Sequence, residues 1–129
     1  MHTDIGNRQS TPADVTYVLE RLARHEILSE RSRQELLAIM RTHSADRELP
    51  ALVKGLPETE RPYFADKNGL VFEDNLNVIA DAGFYEKGDC SFAVVVVTNR
   101  VDPAFKTKIN DVISGLSAAA YNNYCRQTQ

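Results

Sequence analysis

The sequence is short of several things, and each shortage excludes a class. It has two cysteines in 129 residues, Cys90 and Cys125, too few for a disulfide framework. They show no C-x-x-C spacing and no neighbouring histidine, so a zinc site is not expected. No apolar run approaches the roughly 18–20 residues that cross a bilayer, the longest being Phe92 to Val97, so no membrane span is expected. Met1 to Asn7 lacks the basic start and apolar stretch of a signal peptide. The chain is therefore expected either to stay in the cytoplasm or to owe its export to a signal outside it. Basic clusters are missing as well, and the formal charge is -3. A nucleic-acid partner is not expected, because phosphate binding needs a basic face that releases counterions.

What is present describes a globular domain. With 43% hydrophobic and 26% charged residues, a chain of this length can bury about two thirds of its unfolded surface without staples. Residues 1–9 read as a flexible N-terminus, His2 included. At Ser10-Thr11-Pro12-Ala13-Asp14 a hydroxyl cap, a proline at the first helical position and an early acid coincide, predicting a helix to about Arg24. Val15, Val18, Leu19 and Leu22 form its apolar face. Ser29 caps a second helix to about Thr42, with Leu36, Leu37 and Met40 inward and Glu30, Arg31, Arg33, Gln34 and Arg41 outward. His25 and His43 sit at helix ends, as cap residues do. His43 to Glu48 reads as a loop, Leu49 to Leu56 as a short helix ended by Gly55 and Pro57, and Pro57 to Pro62 as irregular.

From Tyr63 the period changes. Tyr63-Phe64-Ala65 starts a short strand with polar residues Asp66-Lys67-Asn68-Gly69 at its end. Asn77 to Tyr85 and Ser91 to Thr98 form a hairpin across Glu86-Lys87-Gly88-Asp89, the second strand apolar enough to be buried on both faces. Asp102-Pro103 repeats the cap-and-proline signal. Phe105, Ile109, Val112, Ile113, Leu116 and Ala120 then make the apolar stripe of a long helix, finished against the sheet by Tyr121 and Tyr124. The fold class is α+β: an antiparallel sheet of at least three strands covered by a long C-terminal helix, with two N-terminal helices.

Lys67, Asn68 and Gly69 are the best candidate site. A lysine at a strand end, followed by a glycine that lets a ligand approach the backbone, can hold an anionic group. The same three residues also suit an ordinary polar turn. Glu73-Asp74 has no third ligand that would make it a metal site.

The order of several short motifs resembles the second half of class A β-lactamases: Ser10 to Asp14, Leu22 through Ile27-Leu28-Ser29, Ser32-Arg33-Gln34, Gly55-Leu56-Pro57, Ala65 to Gly69, Asp81-Ala82-Gly83 and Val97-Thr98-Asn99. The likeness runs from about Gly6 to Tyr124, so residues 10–129 are read as the C-terminal portion of such a domain. It implies a β-lactamase/transpeptidase-like fold and acyl-enzyme hydrolysis of β-lactams or related amides. D-Ala-D-Ala peptidases share the fold. It also implies a peptide-like or β-lactam carboxylate substrate, no cofactor, and a periplasmic or secreted location in bacteria.

That family uses S-x-x-K, S-D-N and K-T-G elements. Lys67-Asn68-Gly69 falls where the third belongs, with Asn68 in place of a hydroxyl residue. The resemblance gives Lys67 the substrate carboxylate and the backbone N–H of Leu70 a place in the oxyanion hole. Neither S-x-x-K nor S-D-N occurs in the chain. Glu73 to Asn77 matches the family's E-x-x-L-N pattern, but on the wrong side of Lys67. The chain is therefore expected to be inactive alone and to need a missing N-terminal segment or a homo-oligomer partner. If the helix from Pro103 packs back along the last strand, its rise of roughly 1.5 Å over about twenty residues matches roughly 3.3 Å over about nine. Cys125 then lies near Cys90, bonded if the protein is exported and free otherwise.

Overall fold

The computed structural model describes residues 10–42, 48–73 and 76–126. Helix α1 spans Pro12–Ala23, and the expected start is built as a capping box. The Thr11 hydroxyl accepts the Asp14 N–H at 3.2 Å, and the Asp14 carboxylate accepts the Thr11 N–H at 2.8 Å. The helix ends in a Schellman turn. His25 takes a φ of 61°, while the N–H groups of His25 and Glu26 reach back to the carbonyls of Leu22 and Arg21. Helix α2 spans Glu30–Met40 and α3 spans Ala51–Lys54.

Strands β1 (Phe64–Glu73), β2 (Leu76–Lys87) and β3 (Cys90–Val97) form an antiparallel meander in the order β1-β2-β3. The register runs from Phe64 opposite Tyr85 to Glu73 opposite Leu76, and from Ala80 opposite Val97 to Lys87 opposite Cys90. After a short turn at Pro103–Phe105, helix α4 covers Lys106–Tyr124. The sheet lies between two helical layers. Leu19, Leu22 and Leu37 of α1 and α2 pack on Ala65 and Phe84. On the other face Leu52, Val53 and Ile113 of α3 and α4 pack with Phe64, Ile79 and Tyr85.

Several expectations need correction. β1 is a ten-residue strand, so Lys67-Asn68-Gly69 lies mid-strand rather than at its end. Arg33, expected on the solvent side of α2, is buried, because Glu86 and the Leu22 carbonyl meet its guanidinium. β3 is not buried on both faces: Phe92 is buried, Val94 to Val96 are half-buried and Val97 is exposed. Among the described residues it is an edge strand, with no neighbour beyond it.

In α1, Val18 faces outward. In α4, Ile113 and Tyr121 face inward with Ser117, whereas Val112, Leu116 and Tyr124 are exposed, as is Phe105 in the turn before it. A helix advances about 100° per residue, so Val112 and Leu116 lie about a quarter-turn off the buried line. His2, His43 and Asp74 lie outside the described residues.

The approach to β1 is fixed by polar contacts. Glu60, just ahead of the strand, accepts the Tyr85 hydroxyl at 2.5 Å and the Lys87 ammonium at 3.0 Å. Burial, then the hydrogen bond to Glu60, pushes the Tyr85 phenol well above its usual range. Those contacts tie the turn before β1 to the far end of β2.

Candidate functional site

Three of the four sequence-derived site residues, Lys67, Asn68 and Gly69, follow one another on β1, and Leu70 comes next. Alternation along a strand sends their side chains to opposite faces. Lys67 shares its face with Ala65 and Ala82, on the side covered by α1 and α2. Asp66, Asn68 and Leu70 point to the other side, toward α3 and α4. Lys67 is exposed, and its ammonium donates to the Asn68 carbonyl.

The backbone of β1 can be oriented from its neighbours. In an antiparallel sheet, the N–H and C=O of one residue point to the same side, and alternate residues point to alternate sides. The Ile79 carbonyl accepts the Thr98 N–H at 2.8 Å, and the Ile79 N–H donates to the Thr98 hydroxyl at 3.0 Å. Ile79 is thus turned toward the β3 side. Leu70 lies opposite Ile79, so its N–H and C=O face away from β2. By the same alternation the backbone groups of Asp66 and Asn68 face outward, and those of Lys67 and Gly69 pair inward with Ala82 and Ala80. Among the described residues no strand covers that outer edge. The edge therefore offers a Leu70 donor, a lysine beside it and a glycine between them.

Gly83, on the neighbouring strand, is required by close approach. A Cβ there would overlap the Ala65 carbonyl and the Phe64 ring.

Behind this edge lie two carboxyls that sequence reasoning did not single out as a pair. Asp66 and Asp81 are 8% and 2% exposed, on the same face of β1 and β2. The Asp81 Oδ2 accepts the Leu52 N–H at 2.9 Å, which caps α3 in place of Pro50, a residue with no capping side chain. Burial, then the charge of Asp81, pushes the Asp66 carboxyl up to about 7. Burial also raises Asp81. The signal was an aspartate beside alanine in each strand, at Ala65-Asp66 and Ala80-Asp81-Ala82, where aspartate is ordinarily depleted. A cavity of about 170 Å³ on this face is lined by Asn68, Leu70 and Asp81 with Glu48, Lys106 and Asn110. It is separated from Lys67 by the sheet. Among the described residues, no cluster of His, Cys, Asp and Glu could hold a metal ion.

Cys90 and Cys125 are joined as a disulfide with Cα atoms 5.4 Å apart, linking the start of β3 to the end of α4.

Residues 2–124 match the beta-lactamase enzyme family. The chain belongs to that family. Among solved structures, it is similar to one titled "Structure of PBP-A", at 25% identity and a TM-score of 0.62, over 92% of this chain and 42% of that one. A β-lactamase from Chitinophaga pinensis DSM 2588 is alike at 25% identity and a TM-score of 0.62, over 88% of this chain and 42% of its own. An L158E mutant of PBP-A, described as an acyl-enzyme complex with penicillin G, matches at 26% identity and a TM-score of 0.61 over 92% of this chain and 42% of that one. No curated protein matches. This β-lactamase-like chain thus spans less than half the length of the solved relatives it matches. No helix among the described residues is long and apolar enough to cross a membrane.

Proposed function

We propose that this chain supplies the substrate-binding edge of a β-lactamase-like serine hydrolase, while the nucleophile and its base come from a segment outside it. In this reading Lys67 attracts the substrate carboxylate, and Asn68 adds an amide donor. The Leu70 N–H donates to the oxygen that turns anionic as the acyl group is attacked. Gly69 leaves room for the substrate to lie along the strand. The observation that carries the reading is the outward-facing Leu70 N–H, three residues beyond Lys67 on an edge that no strand among the described residues covers.

Acyl transfer also needs an activated nucleophile and a base within reach, and the sequence contains neither S-x-x-K nor S-D-N. The exposed Val112 and Leu116 and the outer edge of β3 give a second segment apolar surface to cover.

Hydrolysis of a chromogenic cephalosporin, tried on this chain and on any longer product of the same gene, tests the proposal. The expected outcome is no turnover by the chain alone and turnover by the longer product, reduced about 100-fold or more by Lys67→Ala. A second reading, a noncatalytic ligand-binding or interaction module, is favoured by Asn68 standing where the family has a hydroxyl residue. Absence of turnover in both proteins would favour that module. Release of D-alanine from a D-Ala-D-Ala peptide by the longer product, without cephalosporin turnover, would instead indicate a peptidase.

A further inference from the structure

β2 runs on past the end of β3, and that extension is the stretch that backs Leu70. Ile79 lies opposite Leu70 and turns its own N–H and C=O toward the β3 side. It is 6% exposed, so both groups need partners there. The β3 ladder cannot supply them, because it stops at the pair of Ala80 and Val97.

Thr98 meets both groups with one side chain. In a regular antiparallel ladder, two facing residues of a hydrogen-bonded pair exchange N–H to C=O bonds in both directions. Here the Thr98 N–H donates to the Ile79 carbonyl at 2.8 Å, but the return bond is different. The Ile79 N–H donates to the Thr98 hydroxyl oxygen at 3.0 Å, and that hydroxyl donates to the Ile79 carbonyl at 2.8 Å. The hydroxyl stands in for the Thr98 carbonyl, and the main chain is free to leave the ladder. It returns at Val101, whose N–H donates to the Asn77 carbonyl at 2.9 Å. A continued register would bring Arg100 to Asn77, so the loop carries one residue more than the strand it faces. Arg100 absorbs the excess in a left-handed backbone, with a φ of 55°.

This strap bears on the edge of β1 through the strand between them. Leu70 and Ile79 point their backbone groups away from each other, so no backbone hydrogen bond joins them. The Leu70 N–H is aimed instead by the pairs on either side, Gly69 with Ala80 and Val71 with Val78. Ala80 and Val78 flank Ile79 in sequence. Both pairs therefore keep their place only while Ile79 keeps its own.

We infer that Thr98 is a positioning residue for the Leu70 N–H: its hydroxyl replaces a missing ladder partner of Ile79 and so fixes the strand that aims the donor. The donor's part in acyl transfer rests on the reading of Lys67 and Leu70 above. The clamp on Ile79 and its reach to Leu70 do not.

NMR of the whole chain tests the clamp without catalysis. Thr98→Val keeps the size of the side chain and removes the hydroxyl. It is expected to speed hydrogen exchange of the Ile79 amide about tenfold, the worth of one buried hydrogen bond, and to move the native amide resonances of Gly69 and Leu70. Thr98→Ser should return all three toward wild type, and Thr98→Ala replaces the valine variant if that one fails to fold. A loss of stability alone speeds exchange without moving native resonances, so Arg33→Ala should leave Gly69 and Leu70 unshifted. Unchanged Ile79 exchange would overturn the clamp, and a Leu70 resonance that stays in place would overturn the positioning role. In a longer product that hydrolyses a cephalosporin, Thr98→Val should lower kcat roughly tenfold or more with KM little changed, because the oxyanion bond forms only in the transition state. An unchanged kcat there would overturn the link to catalysis. A longer product with no turnover at all would overturn the reading of Lys67 and Leu70, while the resonances still decide the clamp.

Discussion

One Arg33 nitrogen donates to both carboxylate oxygens of Glu86 at 2.9 Å, while the Arg33 Nε donates to the Leu22 carbonyl at 2.8 Å. A single side chain of α2 thereby holds the end of α1 and the end of β2. Removing it leaves Glu86 without its main partner and the Leu22 carbonyl unmet. Arg33→Ala is therefore expected to cost roughly 3 kcal/mol, the low end for breaking a buried pair because Glu86 is partly exposed. Arg33→Met with Glu86→Leu should recover much of that loss, since no charge is then stranded. Urea unfolding of the two variants checks both statements.

The Cys90–Cys125 bond closes a loop of 35 residues in sequence separation. Constraint of the unfolded chain over such a loop is worth about 3–4 kcal/mol. Cys90→Ser and Cys125→Ser should each lower the urea midpoint, and by the same amount as reduction of the native protein. Thiol titration of the unfolded, unreduced chain should find no free thiol. Two free thiols would sink the bond.

Gly55 ends α3 against α4, and a Cβ there would overlap the Ser114 backbone carbonyl and crowd the Ser117 side chain. The Ser114 hydroxyl donates to the Ala51 carbonyl at 2.8 Å, so the two helices cannot separate without losing that bond. Gly55→Ala should destabilise by about 1–3 kcal/mol through overpacking. Gly115, which meets nothing within 4 Å, is the control: Gly115→Ala should be neutral or stabilising because it lies within α4. Thermal unfolding of both variants separates packing from helix propensity.

Local signals carried much of this fold. The Thr11-Pro12-Asp14 start, the Ser29 cap and the Gly88 turn depend on residues a few positions apart, so the sequence displays them directly. Lys67, Asn68 and Gly69 were legible as a site, but their place in mid-strand was not. Polar residues in a row look like a turn until a partner strand satisfies them, and β2 does so through Ala80 and Ala82. The inward turn of Arg33 depends on Glu86, distant in sequence, and the pairing of Asp66 with Asp81 depends on a register that the sequence does not state. The exposure of Val112 and Leu116 escaped for a related reason: apolar spacing marks a helix face without saying what covers it.

The raised Asp66 carboxyl sets the direction of the stability curve. Its folded value of about 7 lies above the unfolded value near 3.8, so between those limits the native state holds a proton that the unfolded chain has released. Stability must therefore fall as pH rises through that window, by up to roughly 1.4 kcal/mol per unit for one proton. The opposite contribution comes from Asp14, Glu30, Glu48 and Glu60, which are lowered mainly by hydrogen bonds from Thr11, Gln34, Lys54 and Tyr85. Their gain is complete once pH exceeds their unfolded values of 3.8 to 4.5. The curve should then peak near about pH 5 and decline toward pH 7.5, measured as urea midpoints across that range. Asp66→Asn removes the titrating group and should flatten the decline. A wild-type midpoint that rises steadily from pH 5 to 7.5 would show that Asp66 is ionised in the native chain.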